Sequence, residues 1–218
     1  PGKVVDLVRN LGIAAGGTVM EDCRVLEACR EGKYTSVLVQ THDKKYVEYR
    51  TEHFVNALGS GAGKLCDSMG IDAGLYPVRH QAFITRRLPM LGKHGTNLDM
   101  LIDRQDYKGF SAVYGQQIAY TGQIIGCASP KLDAMRIDKN LKVNTKAFLE
   151  IVSEMFSEWI PDLAGVGIQA VWAGYYTEPR YIVDPELGLF VGMRGHGFML
   201  SQYIARMYVD KLLGRPVP

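Results

Sequence analysis

The spacing of apolar positions changes several times along the chain, and each change marks an element. Val4, Val5, Leu7, Val8 and Leu11 recur at helical intervals and stop at Gly16-Gly17, which predicts an opening helix. Short β-branched and aromatic runs then predict strands at 18–20, 24–29, 35–41 and 46–49, with His42-Asp43-Lys44-Lys45 as the hairpin turn between the last two. Residues 53–58 read as a short strand that empties into Gly59-Ser60-Gly61-Ala62-Gly63, and a short helix is expected over 64–69. From 77 to 85 the side chains alternate, Val78, His80, Ala82 and Ile84 against Arg79, Gln81, Phe83 and Thr85, the period of a strand. Further strands are expected at 98–103 and, as one long run, at 110–125, on either side of the turn-forming Asp106-Tyr107-Lys108-Gly109. Phe148, Leu149, Val152, Met155, Phe156 and Trp159 form a stripe that predicts a helix over 145–159, with Asn144 as its cap. Strands at 167–173, 181–183 and 189–192 precede a last helix over 198–213, stopped by Gly214 and Pro216.

No repeat, low-complexity tract or linker breaks this order, so the expectation is one compact α+β unit with a mixed, largely antiparallel sheet and flanking helices. The 218 residues are 47% hydrophobic and 22% charged, which excludes disordered and fibrous classes. A net charge of +2 gives no reason to expect nucleic acid or an anionic membrane as partner. The apolar runs fall well short of the roughly 20 residues of a membrane span. Pro1 is preceded by no initiator Met and followed by no charged-then-apolar leader, which reads as a cut start without a secretion signal. Cys23, Cys29, Cys66 and Cys127 form no C-x-x-C pair or metal-ligand spacing; they read as thiols of a reducing, cytoplasmic compartment.

Three stretches carry candidate chemistry. The first is the run from Val55 through Gly63, where glycines let backbone N–H groups approach a phosphate or flavin edge. It is not a phosphate-binding NTPase loop. Counting back from Gly63-Lys64 places Leu58 where the first Gly belongs, and no Ser or Thr follows Lys64. The second is Gly188-Leu189-Phe190-Val191-Gly192-Met193-Arg194-Gly195-His196-Gly197-Phe198, a strand, a glycine bend and a helix N-terminus able to stabilise an electron-rich oxygen. The third runs from Trp172 to Asp184, where Tyr175 and Tyr176 beside Arg180 suit an amine or carboxylate. Each of these stretches alone also reads as an ordinary turn or as packing.

In order, "VNALGSGAGKLCDSMGI", "YPVRHQAFIT" and "AVWAGYYTEPRYIVDPELGLFVGMRGHGFMLSQ" resemble the D-amino-acid oxidase-like FAD family, which includes glycine oxidase, sarcosine oxidase and several amine dehydrogenases. The resemblance covers essentially the whole chain and begins where the family's second half begins. It implies a substrate-domain sheet together with elements that complete an FAD-binding α/β lobe. Residues 1–75 would belong to the FAD lobe, 76–165 to the substrate sheet and helix, and 166–218 would return to the lobe. It places Cys23, Arg24 and Val25 near the adenine, and Ala57, Leu58, Gly59, Ser60 and Gly61 near the pyrophosphate and ribityl chain. Gly192, Arg194, Gly195, His196, Gly197, Phe198 and Met199 would border the isoalloxazine. Arg79, Tyr175, Tyr176 and Arg180 are the implied substrate contacts. His80, Arg180 and His196 are candidate catalytic groups, although His80 also reads as a structural histidine.

The implied reaction is oxidation of a C–N bond in a small amine, imino acid or amino acid by hydride transfer to non-covalent FAD. The departures shape it further. The G-x-G-x-x-G fingerprint is absent, so the ADP grip is expected from a preceding segment or a partner chain. Met199 stands where sarcosine-type members carry a carboxylate-binding Lys. Residues 109–130 contain no Lys, which leans the reading from oxidase to dehydrogenase with an electron acceptor left open. No Cys lies near Gly174 or Tyr175, where some relatives link flavin covalently. The rival readings are a hydroxy-acid or glycerol-phosphate flavoprotein and a non-catalytic or truncated subunit of a flavoprotein complex.

Overall fold

The computed structural model describes residues 1–92, 97–104, 109–130, 145–178 and 181–217. Asn144, Asp106, Tyr107, Lys108 and Arg180 lie outside them. The fold is α+β, as the alternating periods predict. The chain divides into two compact units, Pro1–Tyr76 with Thr177–Pro218, and Pro77–Tyr176. The chain leaves the first unit in one strand and returns in another, an insertion that needs no linker composition to announce it. Among the described residues no helix is long and apolar enough to cross a membrane.

The first unit opens with α1 (Gly2–Ala14), followed by an antiparallel meander of β1 (Arg24–Glu31), β2 (Tyr34–Gln40) and β3 (Tyr46–Thr51). Ala28, Val37 and Val39 of the meander bury against Leu65 of α2 (Ala62–Ser68). The Ser68 hydroxyl ties helix to strand by accepting the Ala28 N–H at 3.1 Å. The predicted strand at 18–20 is not formed; these residues pair with no strand among those described. A β-prone tripeptide has no stability without a neighbour to take its backbone hydrogen bonds. After the insertion come the antiparallel pair β9 (Ile182–Asp184) and β10 (Leu189–Val191) and the long α4 (Gly197–Leu212).

The second unit is a five-stranded sheet in the order β5-β6-β7-β4-β8, built from β4 (Tyr76–Thr85), β5 (Leu101–Asp103), β6 (Phe110–Gln117), β7 (Ile124–Pro130) and β8 (Ile168–Glu178). The run expected as one strand over 110–125 is two. Ile118 N–H closes a turn onto Gln123 O at 2.8 Å, with Tyr120 and Gly122 both left-handed. At Gly122 an added Cβ would lie 2.5 Å from the Leu91 carbonyl oxygen, a packing demand that hydropathy does not reveal.

One face of this sheet buries against α3 (Thr145–Trp159): Phe83 packs edge-on to Phe156 at 5.4 Å and tilted to Phe148 at 6.2 Å. These rings fit because Gly115 and Gly126, directly paired across β6 and β7, leave room for them. A Cβ at Gly115 would stand 2.5 Å from Phe156, and one at Gly126 2.5 Å from Phe83. Gly126→Ala is therefore expected to destabilise the protein by about 1–3 kcal/mol, the usual cost of overpacking. Gly174→Ala, where a Cβ meets nothing within 4 Å, is expected to be near neutral. Paired denaturant-unfolding curves of the two variants check both.

Candidate functional site

In the first unit the two glycine turns leave from one edge. Asn56 and Leu189 form a parallel bridge, with Asn56 N–H donating to Gly188 O at 2.8 Å and Phe190 N–H donating to Asn56 O at 3.0 Å. Because the two segments run in the same direction, both finish on the same side. The 53–58 segment, expected to be a strand, is this bridge alone; it passes through a 3₁₀ turn at Gly59–Gly61 into α2. The other segment, β10, passes through Gly192 and Gly195 into α4. Carboxyl ends of adjacent parallel strands are where α/β sheets hold ligands.

Asn56 is fully buried, and its side chain shapes the first turn. Its Nδ2 donates to Ala62 O at 3.0 Å, and its Oδ1 accepts the Leu58 N–H at 3.2 Å. Gly59 is left-handed, and a Cβ there would meet nothing within 4 Å, so the turn borders open space. Gly192, Arg194 and Gly195 are all left-handed as well. The conformation costs a residue with a Cβ roughly 1 kcal/mol or more, so Arg194 is strained. His196 caps α4 without a side-chain hydrogen bond, which leaves the first-turn amides of Gly197, Phe198 and Met199 aimed outward with the positive end of the helix. Two amide-lined turns beside open space suit a phosphate-bearing arm and an electron-rich ring.

The other named residues of this unit are placed as follows. Arg24 and Val25 begin β1, opposite Gln40 and Val39. Arg194 Nε donates to Glu178 Oε2 at 2.7 Å. Glu178 is thus a largely buried ion-pair partner. Asp184 does serve a turn, accepting the Glu186 and Leu187 N–H groups. The His196 ring lies 6.5 Å from that of Tyr181.

In the second unit strand alternation divides the named residues between faces. Arg79 is buried and shares its parity with Gln81 and Phe83, on the α3 side. His80 faces the other way and stacks on Tyr176 with ring centroids 3.9 Å apart. The Tyr114 hydroxyl lies within hydrogen-bond reach of both the Tyr176 hydroxyl and the Cys127 thiol. Tyr114 and Cys127 are paired directly across β6 and β7, and Cys127 is paired with Ala82 of β4.

Burial pushes Tyr114, Tyr176 and Cys127 upward in pKa, so all three stay protonated. Burial holds His80 down at about 4. Its Nδ1 is sealed from solvent and makes no hydrogen bond among the described residues. Sequence reasoning missed Tyr114 and Cys127 because their alternation is meaningful only once the strand break after Gln117 fixes the register. The cavity of about 570 Å3 in this unit lies on the α3 side, between Phe83, Ile124, Leu149 and Phe156, and holds none of the named site residues.

Comparison with known proteins decides the family. The family described as FAD dependent oxidoreductase (DAO) matches residues 1–211. The chain belongs to this family. Among solved structures it is similar to L-proline dehydrogenase from P. horikoshii, at 25% identity and a TM-score of 0.65, covering 94% of this chain and 54% of that one. It is similar also to glycine oxidase from Geobacillus kaustophilus, at 18% identity and a TM-score of 0.64, covering 94% and 51%. A third is the glycerol-3-phosphate dehydrogenase from Bacillus halodurans complexed with FAD, at 13% identity and a TM-score of 0.65, covering 94% and 42%. The chain thus spans about half the length of the structures it resembles. No curated protein sequence matches it significantly. The cofactor of the DAO family is FAD, and the two amide-lined turns of the first unit fit it.

Two outcomes follow from this geometry. Asn56→Ala leaves the Leu58 N–H and the Ala62 carbonyl without their partner, an expected loss of about 1–3 kcal/mol in unfolding free energy. The pH dependence of stability carries the signature of His80. Unfolded, it takes a proton below its ordinary 6.5; folded, it resists until about 4. Its contribution is complete above 6.5 and is lost as pH falls towards 4, by up to about 3 kcal/mol. Urea unfolding between those pH values should therefore fall off more steeply in the wild type than in His80→Phe.

Proposed function

We infer that this chain, together with polypeptide that grips the ADP half of FAD, is the substrate-and-flavin-capping part of an oxidoreductase. The reaction is oxidation of the C–N bond of a small amine, imino acid or amino acid, by a dehydrogenase more than an oxidase. The observation that carries the reading is the parallel Asn56–Leu189 bridge, which aligns the Gly59 turn with the Gly192–Gly195 turn on one edge. The names of the similar structures support the substrate class: glycine oxidase, L-proline dehydrogenase and iminodiacetate oxidase all point to compounds with a C–N bond.

In this reading the amides of Gly59, Ser60 and Gly61 would hold the pyrophosphate and ribityl arm, and the backbone of Arg24 and Val25 would lie near the adenine. The outward amides of Gly197, Phe198 and Met199 sit at the ring, where partial positive charge stabilises a reduced, electron-rich oxygen. FAD, when bound, supplies the hydride acceptor. The net conversion would remove a hydride and a proton from the C–N unit, the proton passing to water, and leave an imine for hydrolysis. The second unit supplies the substrate-contacting residues, Tyr176 and Tyr175 among them, and fixes their orientation.

The need for further polypeptide is supported by α1. None of its 13 residues is buried, and Val4, Val5, Leu7, Val8, Leu11 and Ile13 are 42–60% exposed. Each such side chain gains about 1.5–3 kcal/mol on full burial, so an apolar face of this kind calls for a cover. The similarity to a glycerol-3-phosphate dehydrogenase keeps a hydroxy-compound substrate as the second reading. The test uses the full-length protein or the complex carrying the ADP-binding segment. Anaerobic bleaching of the flavin absorbance by amines or amino acids is the expected result. Bleaching by hydroxy acids or glycerol phosphate alone would favour the second reading.

A further inference from the structure

Arg194 occupies a place that its own residue type does not favour. The Met193 carbonyl accepts the His196 N–H at 2.8 Å, closing a four-residue turn whose central residues, Arg194 and Gly195, have φ of 46° and 81°. Positive φ at both central positions marks a type I′ turn, for which Asn, Asp and Gly are suited. For Arg, the Cβ makes left-handed backbone roughly five- to thirtyfold less populated. The conformation of this turn must therefore be held from outside it.

Glu178 supplies the hold. It ends β8, its side chain is only 16% exposed, and its Oε2 accepts the Arg194 Nε–H at 2.7 Å. Both residues belong to the first unit. A charge-assisted bond with one partner largely out of water is stronger than a solvated surface pair. The turn also sets the start of α4. A Cβ at Gly197 would stand 3.0 Å from the Met193 side chain, and the His196 carbonyl accepts the Leu200 N–H at 3.0 Å. If Arg194 relaxed to right-handed backbone, the turn and the first amides of α4 would move together.

We propose, resting on the reading of this turn as the contact to the flavin ring, that Glu178 and Arg194 are positioning residues. Their ion pair selects the left-handed Arg194 and fixes the outward direction of the Gly197, Phe198 and Met199 amides. The guanidinium is committed to the carboxylate and acts on the flavin through the backbone, not as a donor to the ring.

The sign of one measurement separates this role from a simple charge effect. In the complete flavin-bearing protein, Glu178→Gln loosens the amides that stabilise reduced flavin. Reduced FAD is then expected to lose about tenfold in affinity relative to oxidised FAD, which for a two-electron couple lowers the midpoint potential by about 30 mV. A charge effect has the opposite sign, because an unpaired Arg194 cation favours the electron-rich reduced ring. A raised or unchanged potential overturns the proposal.

Rescue is the second arm. Glycine takes left-handed backbone without help, and the double variant Glu178→Gln, Arg194→Gly keeps the zero net charge of the intact pair. It is expected to restore the wild-type potential; one that stays as low as Glu178→Gln overturns the proposal. The third arm needs no flavin. The His196 and Leu200 amides should exchange hydrogen about tenfold faster in Glu178→Gln and slow again in the double variant. Equal rates in all three proteins overturn the clamp. A complete wild-type protein that binds no FAD sinks the flavin reading, and the positioning role falls with it. Normal FAD binding with an unshifted potential in Glu178→Gln sinks this proposal alone.

Discussion

A side-chain amide shut away from water must have its polar atoms satisfied from within the protein; Asn56 meets that demand within its own turn and the start of α2, while its backbone joins them to the distant 188–190 stretch. Its backbone pairs with Gly188 and Phe190, its Nδ2 reaches Ala62 at the start of α2, and its Oδ1 holds the Leu58 N–H. The direction of the Gly59 turn, the placement of α2 and the alignment with β10 all follow from that one residue. Without the bridge, the glycine turns would be two flexible loops; with it, both open from a single edge.

The second unit obeys a different constraint. Its sheet must present the rings of Phe83 and Phe110 to α3 on one side while keeping a thin polar network on the other. The Gly115–Gly126 pair makes this possible, because two missing side chains admit Phe156 and Phe83 at van der Waals contact. On the reverse face the neighbouring pair is Tyr114 and Cys127, whose polar atoms satisfy each other and Tyr176. One sheet thus carries its aromatic core on one face and a polar cluster on the other, and the alternation of strand side chains separates them.

The first unit also shows where its structure leaves off. Its meander and α2 share a small core, whereas α1 turns a row of Val, Leu and Ile outward. The DAO structures it resembles are about twice as long. The first unit thus combines an exposed apolar helix face with an amide-lined edge.

Periodicity in the sequence was enough for most elements. The stripe from Phe148 to Trp159 predicts α3 to its ends, and the alternation of 77–85 predicts β4 and the opposed facing of Arg79 and His80. Composition and motif order pointed to the family, because paired glycine turns at fixed places in a chain are a local property. What lay beyond local pattern was pairing. The tripeptide at 18–20 looks like a strand but has no neighbour, and the run at 110–125 breaks where Gly122 must clear the Leu91 carbonyl. The pairing of Glu178 with Arg194, 16 residues on, is likewise set by the fold. Tyr114, Cys127, Tyr176 and His80 are scattered over 97 positions and become one cluster only when the strand order β6-β7-β4-β8 sets them side by side. Local propensity determines which segments are helix or strand; hydrogen-bond register between distant segments determines which side chains meet, and chemistry depends on the second.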